Sequence, residues 1–319
     1  MERFGRGYSN LTYLLRWDDQ EVVLRHPPPG VNIPSAHDMG REYQILEALY
    51  PHWPKVPEPV LFVESPDVIG VPFYLMERVQ GVILRGAGAQ DWRPDPHTMG
   101  HCADALVDTL VELHRLDPRA LELGDLGRPE GYIQRQVSGW SRRYLRAKTE
   151  TIETLEKAMA WLAAKMPREG KPSLIHNDFK YDNLVLHPEN LGKVLALLDW
   201  EMATIGDPLM DLGTTLAYWV TENDPPVLRL LGPSSMPGNP DREGLVARYA
   251  EESGRDLGAI LFYFVYGLFK VAVICQQIYA RYRAGKAPDE RFAGLIQVVR
   301  ALGRMADRAI ERKRMDRLF

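Results

Sequence analysis

The chain has 319 residues, enough for one large or two modest domains, and 45% of them are hydrophobic, which supports a substantial core. Against 39 Lys and Arg residues stand 43 Asp and Glu, and the resulting net charge of −4 disfavours nucleic-acid binding. Cys102 and Cys275 lie far apart on apolar helical patterns, so we expect buried thiols and a cytoplasmic protein.

The N-terminus has no apolar core of a signal peptide. The most apolar run, residues 258–269, is interrupted by Lys270 and predicts a core helix that is too short to cross a bilayer. We therefore expect no membrane association.

The first elements along the chain indicate a small antiparallel sheet. An alternating strand over residues 11–17, a polar turn and a second strand over 22–25 predict a hairpin. Two further strands are predicted over 60–64 and 73–76. These strands and one helix form a predicted first lobe over residues 1–78, and residues 79–319 form a larger, mostly helical second lobe.

A glycine-containing segment precedes the first hairpin, and its candidate ligands are Gly5, Gly7, Ser9 and Asn10. Glycines let backbone N–H groups approach phosphates closely, although such a pair is also typical of a flexible turn. No helix follows it as in a dinucleotide-binding fingerprint, and the absence of a Walker A sequence excludes P-loop enzymes.

Arg25 ends the second strand where a kinase has its phosphate-pairing lysine. Arginine keeps the charge and offers a bidentate fork to phosphate oxygens. The next helix, capped by Ser35 or Asp38, carries Glu42 early, placed to pair with Arg25 as in the kinase Lys–Glu pair. A surface arginine and a solvent-facing glutamate are the alternatives.

The connector after the fourth strand, residues 77–81, corresponds to a kinase hinge. We predict that the backbones of Glu77 and Val79 pair with adenine. Beyond it, apolar spacing predicts helices over 99–116, 131–148, 150–166, 210–220, 242–253, 257–284 and 289–314.

The stretch from residue 173 to 212 carries the chemistry. His176, Asp178 and Asn183 fill the pattern His-x-Asp-x-x-x-x-Asn of a kinase catalytic loop, and Asp199 follows the next strand at the position of the metal-binding aspartate. Asp178 is the predicted proton acceptor, and Asn183 and Asp199 are the predicted oxygen ligands of Mg²⁺. Lys180 is placed to reach the γ-phosphate. The alternative is a hairpin with solvated polar turns.

Only a short segment separates Asp199 from Asp211, and no Ala-Pro-Glu of protein kinases follows it. A protein kinase needs a longer segment to seat a peptide, so this favours a small-molecule acceptor. We expect Asp207 and Asp211 to cap the following turn and helix rather than to bind metal.

At HNDFKYDN and LDWEMATIGDP the chain resembles the aminoglycoside phosphotransferase / choline kinase-like superfamily. The segments GRGYSNLTYLL, VVLRHPPPG, YLMERVQG and MPGNPDREGLVARYA are similar to the branch that occurs alone in bacteria and fused to acyl-CoA dehydrogenase in animals. The resemblance implies an α+β, two-lobed protein-kinase-like fold that binds ATP and Mg²⁺. Arg25 matches this branch, whereas Asn177 stands where the superfamily usually has Gly. An N-terminal helix of relatives is expected to be missing or shortened.

The sequence therefore predicts an ATP- and Mg²⁺-dependent kinase acting on a small-molecule hydroxyl, with a hydroxylated acyl thioester as one candidate acceptor. A nucleotide-binding pseudokinase and, less favoured, a protein kinase are the alternatives. No acidic cluster for a polycation is evident, so an aminoglycoside acceptor is not implied.

Overall fold

The computed structural model describes residues 1–4, 10–18, 20–28, 38–86, 94–287 and 289–319. Within these ranges the strands are β1 Glu2–Arg3, β2 Leu11–Trp17, β3 Gln20–His26, β4 Pro59–Val63, β5 Phe73–Glu77, β6 Ser173–Ile175, β7 Leu184–His187, β8 Asn190–Leu197 and β9 Thr204–Gly206. The helices are α1 Met39–Leu49, α2 Pro96–Arg115, α3 Tyr132–Ala147, α4 Glu153–Ala164, α5 Pro208–Tyr218, α6 Arg242–Ser253, α7 Ile260–Arg283 and α8 Leu295–Arg312.

The chain divides into two compact units. The first unit contains residues 1–83, 117–125 and 183–203, and the second contains 84–116, 126–182 and 204–319. The β7–β8 hairpin thus groups with the N-terminal sheet although it lies far along the chain. These units do not follow the boundary at residue 78, and the predicted division into lobes stays a prediction.

The first unit is built on an antiparallel sheet with the strand order β1-β2-β3-β5-β4. The predicted β2–β3 hairpin is present, with Leu11 opposite His26 and Trp17 opposite Gln20. Helix α1 begins after Asp38, whose carboxylate accepts a hydrogen bond from the backbone N–H of Arg41 at 3.0 Å. Asp38 is thus the N-cap of α1, and the other candidate, Ser35, lies outside the described residues.

The second unit is mostly helical and contains the short β6–β9 pair, in which Ser173 lies opposite Gly206. Its central helix, α7, is long and apolar enough to cross a membrane by length and composition alone. However, 78% of its most apolar window is buried inside the protein, as expected for a core helix. Cys102 and Cys275 are both buried and are not joined in a disulfide, as predicted.

Two helices begin at other residues than predicted, because an aspartate caps a turn near each predicted start. Helix α2 begins at Pro96 rather than at residue 99, since the Asp95 carboxylate caps its first turn. Helix α8 begins at Leu295 rather than at residue 289, because Asp289 caps a separate short 3₁₀ turn.

Candidate active site

The predicted site residues fall into two groups, one in each compact unit, and each group is described by itself. Asn10, Arg25, Glu42, Asn183 and Asp199 belong to the first unit. The second unit contains His176, Asp178 and Lys180. Gly5, Gly7 and Ser9 lie outside the described residues.

The first unit contains the predicted pair between Arg25 on β3 and Glu42 on α1. Arg25 Nε donates to Glu42 Oε2 at 2.9 Å, and Glu42 is 2% exposed. Tyr74 Oη donates to the same carboxylate at 2.8 Å, and Asn10 Nδ2 donates to it at 3.2 Å. Burial raises the pKa of the Glu42 carboxyl, and the charge of Arg25 opposes that rise. The pairing is present, and the role of Arg25 in holding phosphate stays a prediction.

Two further carboxylates, those of Asp199 and Glu201, follow the end of β8. Asp199 adopts a left-handed backbone conformation, with φ of 70°, and its carboxylate contacts the Arg25 guanidinium. Glu201, which sequence reasoning did not select, accepts a hydrogen bond from Asn10 Nδ2 at 3.1 Å and lies 3.8 Å from Arg25 Nη2. Its only sequence signal is the position two residues after Asp199. Arg25 and Asn10 therefore join the Glu42 carboxylate to both acidic groups.

The carboxylates of Glu42, Asp199 and Glu201 form a cluster of oxygen atoms, which is the type of ligand that Mg²⁺ prefers. Carboxylate oxygens of Glu42, Asp199 and Glu201 lie within 4.8 Å of one another. Glu42 is buried and held by Arg25, Tyr74 and Asn10. Asp199 and Glu201 are more exposed, with side-chain exposures of 31% and 20%. Hard oxygen ligands suit Mg²⁺, so the more exposed Asp199 and Glu201 fit the metal that the sequence predicts, whereas Glu42 is engaged by Arg25.

The predicted metal ligand Asn183 lies in the same unit, immediately before β7. Its backbone carbonyl accepts a hydrogen bond from the N–H of Leu198 at 2.8 Å. Since Leu198 directly precedes Asp199, this contact places the backbone of Asn183 next to the end of β8. The ligand role of the Asn183 side chain stays a prediction.

The predicted hinge follows β5. Glu77 is the last residue of this strand, and its backbone N–H donates to the Glu58 carbonyl at 2.8 Å. Val79 lies just beyond the sheet and is partly exposed. The adenine contacts proposed for these two backbones stay a prediction.

In the second unit, Asp178 and Lys180 form an ion pair with 2.7 Å between Lys180 Nζ and Asp178 Oδ2. Burial alone would raise the pKa of the Asp178 carboxyl, but the Lys180 ammonium outweighs it and the pKa is lowered. Tyr218 forms a further side-chain hydrogen bond to Asp178, and its ring centroid lies 4.6 Å from Lys180 Nζ. Asp178 is therefore held as a carboxylate beside a cation.

The third predicted catalytic residue, His176, is fully buried. Its ring accepts a hydrogen bond at Nδ1 from the Asp178 backbone N–H at 3.2 Å. This placement favours a role in holding the loop that carries Asp178 over contact with a substrate.

Asp211 differs from its predicted role. Asp207 does cap α5, since its carboxylate accepts from the Leu209 N–H at 2.9 Å. Asp211 instead accepts from the backbone N–H groups of His176 at 2.7 Å and of Asn177 at 2.8 Å, and it is 0% exposed. The prediction of a helix cap was wrong for Asp211, because its partners come from a distant loop. The sequence contains no local signal for that contact.

Asn177 lies between these groups in a left-handed conformation, with φ of 67°. Glycine adopts this conformation without strain, and asparagine is among the few other residues that visit it routinely. The backbone therefore explains how Asn replaces the usual Gly here. The Asn177 side chain also pairs with the Tyr132 hydroxyl, to which its Nδ2 donates at 3.1 Å.

The loop before α6, residues 232–241, packs beside the catalytic loop in the same unit. Tyr181 stacks on Trp219, with 5.3 Å between ring centroids, and its hydroxyl donates to Asn239 Oδ1 at 2.8 Å. Trp219 Nε1 donates to the Pro240 carbonyl at 2.9 Å. A small cavity next to this loop is lined by Lys180, Tyr218, Trp219 and residues 231–234. Lys180 thus lines a cavity with room for about one water molecule, and the location of the acceptor stays a prediction.

Comparison with known proteins places the chain in a family. The profile of the phosphotransferase enzyme family matches residues 1–252, and the chain belongs to that family. A solved structure from Ralstonia eutropha, assigned to the aminoglycoside phosphotransferases, is 30% identical with a TM-score of 0.82, covering 98% of this chain and 92% of its own. The GDP complex of aminoglycoside 2′-phosphotransferase-IIIa is 17% identical with a TM-score of 0.63, covering 95% of this chain and 91% of its own. The fold is therefore the α+β, protein-kinase-like fold of aminoglycoside phosphotransferases, as predicted.

The chain is also similar to part of several longer proteins. It is 36% identical over 313 residues to acyl-CoA dehydrogenase family member 11 of Gallus gallus, and 35% identical over 309 residues to that of Homo sapiens. These matches cover 95% and 94% of this chain, and the chain spans 39% of the length of each relative. Family and structural relatives together support a small-molecule phosphotransferase.

Proposed function

We propose that this chain is an ATP- and Mg²⁺-dependent kinase that phosphorylates a hydroxyl of a small molecule. The observation that carries the proposal is the partly buried ion pair of Asp178 and Lys180 on a loop with the kinase spacing. The neighbouring cation keeps Asp178 ionised at neutral pH, so its carboxylate can accept a hydrogen bond from an acceptor hydroxyl and orient it.

In the proposed reaction the acceptor hydroxyl donates its hydrogen bond to the Asp178 carboxylate. The hydroxyl oxygen attacks the γ-phosphorus, the bond from that phosphorus to the leaving oxygen of ADP breaks, and the proton passes to Asp178. Lys180 offsets negative charge on the transferring group. Positioning and electrostatics supply most of the acceleration, because such a transfer needs little covalent help from the protein.

The first unit would bind the nucleotide. Arg25 and Asn10, with the preceding glycine segment, steady the triphosphate, and Glu42 orients the Arg25 guanidinium. Asn183 and Asp199 would hold Mg²⁺, and the Glu201 carboxylate lies within 4.8 Å of that of Asp199. When bound, the metal would offset the negative charge of the phosphate groups. A relative of the same fold, aminoglycoside 2′-phosphotransferase-IIIa, forms a complex with GDP, which supports nucleotide binding as part of the proposal.

The acceptor we propose is a hydroxylated acyl thioester. Support comes from the curated relatives, which are named as acyl-CoA dehydrogenase family members and of which this chain matches one part. A kinase and a dehydrogenase in one polypeptide would act on related molecules.

The test compares wild type with Asp178→Asn and with Glu153→Gln, which makes the same chemical change on an exposed carboxylate of α4. We expect slow ATP hydrolysis by wild type and Glu153→Gln, and a loss of about 100-fold or more in Asp178→Asn. ATP binding should be retained in all three. Incubation with labelled ATP and a panel of hydroxyacyl-CoAs, amino alcohols and sugars should then identify the acceptor.

Each other outcome rejects the proposal in a different way. Nucleotide binding without any turnover would indicate a regulatory module, and labelling of generic peptides would indicate a protein kinase. Equal rates of ATP hydrolysis by wild type and Asp178→Asn would show that the Asp178 carboxylate takes no part in the reaction.

A further inference from the structure

Helix α7 carries a lysine into the interior of the second unit, directly beside the catalytic loop. Lys270 is 1% exposed. Its ammonium donates to the backbone carbonyl of Asn177 at 2.6 Å, and it lies 3.4 Å from Asn177 Oδ1 and from Thr214 Oγ1. These acceptors are all neutral oxygens. Burying an ammonium group against neutral oxygens alone costs free energy of folding.

The residue that Lys270 contacts, Asn177, is held at both of its backbone groups and at its side chain. Asp211 accepts from the Asn177 N–H, Lys270 donates to the Asn177 carbonyl, and Tyr132 pairs with the side chain. Asn177 is in the left-handed region and immediately precedes Asp178. The direction of the Asp178 side chain therefore depends on the left-handed backbone conformation of the residue before it.

We propose that Lys270 is a positioning residue, which fixes the left-handed Asn177 peptide and thereby aims the Asp178 carboxylate at the acceptor hydroxyl. The aim at a hydroxyl rests on the proposed function. The hold on the Asn177 peptide does not.

The charges around Lys270 make this contact sensitive to pH. Burial lowers the pKa of Lys270 to about 8, and the carboxylates of Asp211 on α5 and Asp178 on the loop oppose that fall. Lys180 on the loop and Arg143 on α3 reinforce it. The ring of Trp140, also on α3, lies 5.8 Å from the ammonium. Loss of the proton leaves a neutral amine with one donor fewer, so the hold on Asn177 weakens as the pH rises through 8.

The kinetic test uses Lys270→Met, Lys270→Arg and a matched control, Val271→Ala, which shortens a buried neighbour on the same helix. We expect Lys270→Met to lower kcat for ATP turnover by about 10-fold or more while KM for ATP changes less than twofold, because the base is misaimed. Wild-type kcat should fall above pH 8, and that limb should be absent from Lys270→Met. Lys270→Arg should restore part of kcat without the limb, since arginine keeps its proton.

Val271→Ala should lose stability but keep kcat and the wild-type pH profile. Equal losses of kcat in Lys270→Met and Val271→Ala, or a pH limb that persists in Lys270→Met, would overturn the proposal.

A second measurement does not depend on activity. In a crystal structure of Lys270→Met we expect the Asn177 peptide to rotate and the Asp178 carboxylate to leave its 2.7 Å contact with Lys180. An unchanged loop would refute the positioning role even if wild type proved to be an active kinase. A rotated loop in a protein without turnover would keep the structural role and reject the proposed function.

Discussion

Gly213 and Gly267 meet backbone to backbone where α5 crosses α7. A Cβ on Gly267 would lie 2.0 Å from the Gly213 carbonyl oxygen, and a Cβ on Gly213 would lie 2.1 Å from the Tyr263 carbonyl oxygen. The crossing brings together two helices that contact the catalytic loop, through Asp211 on α5 and Lys270 on α7. Close approach of these helices is thus a condition for the site.

Gly267→Ala should destabilise the protein by about 3 kcal/mol or more, because neither backbone can move away without separating the helices. Chemical denaturation with urea measures the free energy of unfolding. Gly139→Ala on α3 is the matched control, since its Cβ would meet nothing within 4 Å. That change should stabilise the helix by about 0.5–1 kcal/mol. Equal unfolding energies for the two variants would contradict the tight crossing.

Arg25→Met should cost about 3–5 kcal/mol of stability, because it leaves the buried Glu42 carboxylate without its cation. The double variant Arg25→Met/Glu42→Gln should recover most of that loss, since the amide keeps hydrogen-bonding capacity without a charge. Urea denaturation of both variants measures the difference. A double variant as unstable as the single one would show that the Arg25 side chain matters through packing instead.

Asp199→Ala should abolish the enhancement of ATP binding by Mg²⁺, because it removes the predicted metal ligand. Calorimetric titration with ATP, with and without Mg²⁺, measures this enhancement. Glu201→Gln should reduce it less, and Asp289→Asn, which changes a capping carboxylate of a 3₁₀ turn in the second unit, should leave it unchanged. If Mg²⁺ still enhanced ATP binding in Asp199→Ala, the metal would bind at other residues.

Stability should fall as the pH drops below about 6.5, and His114 should account for part of the fall. His114 is buried, its Nδ1 lies 2.8 Å from Tyr249 Oη and its Nε2 lies 3.3 Å from Asp211 Oδ2. A neutral ring satisfies both contacts, accepting from the tyrosine and donating to the carboxylate. Burial lowers the pKa of His114 below its ordinary value, and Asp211 only partly offsets this.

The unfolded chain therefore binds the proton first, near pH 6.5, and the fold loses stability until the pH passes the lower folded pKa of His114. Urea midpoints between pH 8 and 5 measure this slope. His114→Gln should flatten it, whereas His52→Gln at an exposed position should not. An unchanged slope in His114→Gln would show that other groups cause the loss.

Much of the fold follows from local patterns. Alternation predicted the β2–β3 hairpin, helical spacing predicted α6 over Arg242–Ser253, and the spacing of His176, Asp178, Asn183 and Asp199 identified the candidate site. The hairpin and the helix were confirmed, because each signal lies within one element or one hairpin, whereas the roles of the site residues stay predictions. The hinge contacts, the metal ligands and the acceptor stay predictions.

The sequence by itself determined the family, the helical and sheet segments and the loop that carries Asp178 and Lys180, because each depends on residues close together along the chain. Only the tertiary structure decided three contacts. Glu201 lies beside Arg25, Asp211 accepts from the backbone of the catalytic loop, and Lys270 donates to the Asn177 carbonyl. Periodicity shows which face of a helix is buried, but not which distant group that face meets. Such contacts exist only after the chain has packed.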